Sequence, residues 1–121
     1  MQSYQLEARV HQIIDAVTSS SPVEDSRVEL KANWIEADKA ARRLAAHANG
    51  AHGEPILWLI GVDEKAEKVS GAEMKELADW LPQVQRQFDL VHPELLHHVV
   101  VPIQADVAVV ALLFDTGAPS S

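Results

Sequence analysis

The stretch PILWLIGVDE, residues 55–64, is apolar almost without interruption from Pro55 to Val62. A half-buried strand alternates apolar and polar residues. A short continuous apolar run suits a strand buried on both faces. The segment therefore belongs inside a layered α/β or α+β arrangement, and the rest of the chain is read outward from it.

Upstream, Glu36 to Asn49 reads as a helix. Ala37, Ala40, Ala41, Leu44, Ala45 and Ala48 form a narrow stripe of small residues that lets it approach a sheet closely. Lys39, Arg42, Arg43 and His47 are expected on the other side, three or four apart. Asn49, Gly50 and Gly53 close the helix and turn the chain. Before it, EDSRVELK (24–31) ends in a short strand. Residues i and i+2 of a strand share a face, so Glu29 and Lys31 project side by side while Val28 and Leu30 point into the core. At the N-terminus, Leu6, Val10, Ile13, Ile14 and Val17 mark one apolar helix face, and SSSP (19–22) ends it.

Downstream, KAEKVSG (65–71) is a polar return with a short strand at Lys68 and Val69. Ala72 to Leu81 reads as a third helix with Met74, Leu77, Ala78 and Leu81 inward, and Pro82 begins a further turn reaching Phe88. HHVVVPIQ (97–104) and DVAVVALLFDT (106–116) flank a tight Ala105-Asp106 link and read as an antiparallel hairpin. The order is α-β-α-β-α-β-β. The sheet is expected near 28–32, 56–62, 98–104 and 107–114. The division is an N-terminal helix at 1–20, a domain at 21–116 and a disordered tail at 117–121.

The length of 121 residues suits one domain, and a hydrophobic share of 47% suits one core. No apolar run reaches bilayer length, and the N-terminus is polar and amphipathic, so neither a membrane span nor a secretory leader is expected. With no cysteine, disulfides and thiolate metal sites are excluded, and a cytoplasmic location is the default expectation. The net charge of −8 opposes non-specific polyanion binding and requires any nucleic-acid contact to be a local basic patch. No G-x-x-x-x-G-K-[ST] phosphate loop is present, so a P-loop ATP site is not expected.

Several residues carry a sharp and a plain reading together. Glu29 beside Lys31 suits a divalent metal and a phosphate, or an ordinary surface ion pair. Lys39, Arg42 and Arg43 suit a phosphate backbone, or a solvated helix face. Trp34 suits stacking on a base, or a staple at the helix start. Trp58 reads as core. His97 and His98 point to opposite faces of a strand and cannot easily share a metal.

Glu24, the VELK strand, the Ala-rich helix ending in HAN, a glycine-containing turn, WLIGVDE and VSG, in that order, resemble the Schlafen AlbA-type domain. The resemblance covers roughly residues 24–116. It implies an AlbA-like fold and an RNA- or DNA-binding function. In some Schlafen members it extends to metal-dependent endoribonuclease activity with three acidic residues. By motif those fall on Glu24, Glu29 and Asp63, which would hold Mg²⁺ or Mn²⁺, with Lys31 stabilising charge on the phosphate. The alternative is a non-catalytic dimerisation or partner-binding module that kept the fold. The glycine pair usual in the family's turn is here NGAHGEP. Schlafen cores with two related lobes imply, for a single lobe, a homodimer.

Overall fold

Five consecutive residues, Ile56 to Ile60, are all buried, and their side chains alternate between two separate cores. Ile56, Trp58 and Ile60 enter one, and Leu57 and Leu59 enter the other. At about 1.5–3 kcal/mol for each fully buried large side chain, this strand alone supplies a sizeable share of the folding free energy. It also obliges the chain to provide a helical layer on each face.

The computed structural model describes residues 3–88 and 92–116; the tail expected at 117–121 lies outside them. The elements are α1 (Ser3–Thr18), β1 (Val28–Lys31), α2 (Ala37–Gly50), β2 (Ile56–Ile60), β3 (Val62–Asp63), β4 (Lys68–Val69), a 3₁₀ turn (Met74–Glu76), α3 (Leu77–Gln85), β5 (Glu94–Gln104) and β6 (Val107–Asp115). Among the described residues the fold is mixed α/β, with three helices and a mixed four-stranded sheet in the order β1-β2-β6-β5. β1 runs parallel to β2, with α2 as the crossover. β2 and β6 are antiparallel, as are β6 and β5. α1 covers one face through Leu6, Val10, Ile13, Ile14 and Val17, the stripe read from the sequence. α2 and α3 cover the other through Ala40, Ala41, Leu44, Leu77, Trp80 and Val84.

Three local readings are corrected. The strand expected to reach residue 62 stops at Ile60, because Gly61 turns the chain with φ +109° into the separate β3–β4 ribbon. The third helix begins at Leu77 after the 3₁₀ turn and continues through Pro82 to Gln85. Proline deprives the Ala78 carbonyl of its helical donor. Ala78 and Pro82 are both exposed, which leaves that carbonyl within reach of solvent. Trp80, not Ala78, turns inward, since the indole offers far more apolar area to bury. Its N–H donates to the Ile35 carbonyl at 2.8 Å. Trp80 also packs between Trp34 and Trp58, with ring centroids 5.0 and 6.3 Å away.

The third correction concerns His47, which is buried rather than on the exposed side of α2. The Trp58 indole N–H donates to its Nδ1 at 3.0 Å, and its Nε2 lies 2.8 Å from the Ser26 carbonyl. An indole nitrogen only donates, so Nδ1 accepts and Nε2 carries the proton that Ser26 receives. The imidazole thus ties the end of α2 to the central strand and to the loop before β1.

Two outcomes follow from this packing. Trp58→Phe leaves the Nδ1 lone pair of His47 buried without a donor and is expected to cost about 1–3 kcal/mol in urea unfolding. Gly61→Ala places a Cβ 2.8 Å from the Gly71 carbonyl carbon at a positive φ, and should lower stability by about 2–3 kcal/mol. Gly50→Ala, with no neighbour within 4 Å of the added Cβ, should stay within about 0.5 kcal/mol of the parent or slightly above it.

Candidate functional site

β1 pairs Glu29 with Trp58 and Lys31 with Ile60, so both side chains project to the α2 side of the sheet. Val28 and Leu30 pack against the α1 core, as strand alternation requires. Lys31 Nζ lies 3.0 Å from Glu29 Oε2. Arg43, reaching down from α2, puts Nη2 2.7 Å from Glu29 Oε1. The carboxylate therefore sits between two cations, with only 12% of its side chain exposed. Burial pushes the Glu29 carboxyl up, but the hydrogen bonds and charges of Arg43 and Lys31 outweigh it and hold the pKa below the ordinary glutamate value. In return, the hydrogen bond to Glu29 raises the Arg43 pKa.

The remaining basic residues flank this cluster along α2. Lys39 and Arg43 are one turn apart, and Lys39 is exposed. Arg42 makes an i,i+4 pair with Asp38 at 3.7 Å and stays largely solvated. Trp34 is half-buried at the start of the helix: its indole N–H donates to the Glu73 carbonyl at 3.1 Å, and its ring leans on Trp80. These contacts fit the staple reading, and the side chain stays partly exposed.

Glu24 and Asp63 have surroundings of their own. Glu24 lines an open groove of about 520 Å³ beside α1, along with Arg9, Gln12, Asp25 and Arg27. The Asp63 carboxylate accepts the Ala66 N–H at 3.0 Å and closes the turn between β3 and β4. Of Glu24, Glu29, Lys31 and Asp63, Glu29 and Lys31 are in direct contact, and Arg43 joins them. Alternation along β1 sends Glu29 to α2, the preceding loop leaves Glu24 by α1, and Gly61 diverts Asp63 into the ribbon. Among the described residues, no three His, Asp or Glu side chains are gathered so as to hold a metal ion. His97 and His98 are both exposed on β5.

Asp25 is a residue that the sequence reading passed over. Its Oδ1 accepts the Arg27 N–H at 2.9 Å, and its Oδ2 accepts from Arg9 at 2.9 Å. The backbone hydrogen bond from Arg27 lowers its pKa most; partial burial opposes, and Arg9 adds to the lowering. The signal lay in D-S-R before a strand, an Asx-type turn in which the carboxylate bonds the N–H two residues on.

Glu29→Gln keeps the shape and removes the charge. A carboxyl whose folded pKa lies below its unfolded value contributes stability above the unfolded value, and loses it as pH falls through the folded pKa. The variant should therefore be less stable than the parent by about 1–2 kcal/mol at pH 7. The gap should close as pH drops below about 4. Paired urea titrations at pH 7 and at low pH measure it.

No helix among the described residues is long and apolar enough to cross a membrane. In comparisons with known proteins, no family model, no curated protein and no solved structure matches the chain.

Proposed function

We propose that this chain is a nucleic-acid-binding domain of Schlafen AlbA type that contacts a phosphate backbone through Lys31, Arg43, Lys39 and Arg42. The observation that carries the reading is the Arg43–Glu29–Lys31 clamp. Two cations on one carboxylate leave a net positive charge at the end of β1; the exposed Lys39 extends it along α2, with Arg42 beside it paired to Asp38. The guanidinium of Arg43 is oriented by Glu29, which prepares its free N–H groups for a phosphate oxygen. Trp34, partly exposed just after β1, is the ring on which a base would stack.

The reading is binding without cleavage. Metal-assisted hydrolysis of a phosphodiester needs convergent carboxylates. Here Glu29 is neutralised by side chains, Glu24 lies against α1, and Asp63 is engaged in its own turn. A net charge of −8 keeps non-specific affinity low, so the contact depends on the local patch and weakens steeply with salt. The same net charge favours a second reading, a protein-binding module without nucleic-acid contact.

Fluorescence anisotropy with labelled single-stranded RNA, tRNA and single-stranded DNA distinguishes the two. Binding is expected at about 50 mM salt, with log affinity falling by about 0.7–0.9 per phosphate contact for each unit of log salt. Lys39→Glu with Arg42→Glu should weaken it at least about tenfold and flatten the salt slope. The RNA should stay intact with Mn²⁺. No binding at low salt would remove the nucleic-acid reading. Mn²⁺-dependent cleavage lost in Glu29→Ala would restore the nuclease.

A further inference from the structure

Among the described residues, Asp25 and Glu29 each meet two side-chain cations. They differ in what else depends on them. Asp25 also accepts the Arg27 backbone N–H and so closes the turn before β1. The described partners of Glu29 are the two cations: Lys31 on one carboxylate oxygen at 3.0 Å and Arg43 on the other at 2.7 Å. No turn is held by this charge. Nor do the cations depend on it for their solvation, since their side chains are 28% and 48% exposed against 12% for Glu29. Burial opposes the charge on Glu29, yet Arg43 and Lys31 keep it there.

One cation on each of two oxygens is also how a phosphodiester, with its two unbridged oxygens, would meet the same pair. A phosphate arriving at this end of β1 finds those N–H groups already engaged by an anion. Otherwise it takes their outward groups against the field of the carboxylate. We infer that Glu29 is a built-in competitor for the phosphate, holding Lys31 and Arg43 so that the chain binds a nucleic-acid backbone less tightly than the two cations would allow. The inference rests on the nucleic-acid reading above and assigns that site its regulating residue. A single phosphate gains little from displacing Glu29. A strand whose next phosphate reaches the exposed Lys39, one turn from Arg43 on α2, gains a second contact, so the competitor selects a chain of phosphates over an isolated one.

Glu29→Gln keeps an oxygen that accepts from Arg43 and removes the charge, so the arginine stays oriented. With labelled single-stranded RNA at about 50 mM salt, the variant should bind at least about threefold more tightly than the parent. Its log affinity should also fall more steeply with log salt, by about 0.7. Asp15→Asn removes one charge from an exposed position of α1, on the other face of the sheet, and should leave both quantities nearly unchanged. A fold merely loosened by the substitution would lower the affinity and would not steepen the slope. Far-UV circular dichroism checks that each variant is folded, and Glu29→Ala replaces Glu29→Gln if the latter is not. If the parent binds RNA and the Glu29 variant binds no more tightly than Asp15→Asn, the inference is overturned while the nucleic-acid reading stands. If only the Glu29 variant binds, the inference stands and the parent is not a nucleic-acid binder. If neither binds, both fall.

Discussion

Trp58 sits in the middle of a strand buried on both faces, and its indole N–H has to be satisfied inside the protein. A buried donor left unpaired costs as much as burial of a methyl group or two contributes. His47 supplies the acceptor, and by doing so has its own second nitrogen committed as a donor to Ser26. One polar atom in the core thereby fixes the end of α2, the tautomer of an imidazole and the approach to β1. The same strand sets the face of Glu29, which pairs with Trp58 across β1 and β2 and so meets Arg43 on the α2 side.

The α2 face is organised by competition for one carboxylate. Burial alone would make Glu29 a poor anion; Arg43 and Lys31 together keep it ionised. The side-chain cations are covalently part of the site and need not be recruited, so they hold Glu29 without the entropy cost a soluble ion would bring. An arginine held by a carboxylate also keeps a defined plane, whereas the exposed Lys39 does not. The patch therefore has a half held by Glu29 at β1 and a solvated half on the first turn of α2. The first suits positioning and the second suits long-range attraction.

Periodicity carried most of the fold. The apolar face of α1, the two-sided burial of PILWLI and the β5–β6 hairpin were legible because each follows from spacing alone. The side-by-side projection of Glu29 and Lys31 was legible for the same reason. What was not legible depended on partners distant in the chain. His47 occupies the apolar stripe of α2 at the spacing of Ala40, Leu44 and Ala51. The imidazole was nevertheless placed outside, because nothing local announces that Trp58 needs an acceptor. The inward turn of Trp80 likewise depends on Ile35 and on the other two indoles. Asp63 was assigned to the strand by sequence continuity, and a single positive φ at Gly61 carries it into the β3–β4 ribbon instead. Spacing fixes which face a residue takes within an element; it does not fix where the chain leaves that element.

Trp34, Trp80 and Trp58 are all the tryptophans of the chain, and they form one file from the half-exposed start of α2 to the sealed centre of the sheet. Rings this close exchange excitation energy, so the protein's ultraviolet emission is a collective property of the file. Light absorbed by the core indole migrates to whichever ring emits at the longest wavelength, and partial hydration favours Trp34. The innermost packing and the outer surface are thus read through one optical channel, and an event at the rim of the file changes the signal from its core.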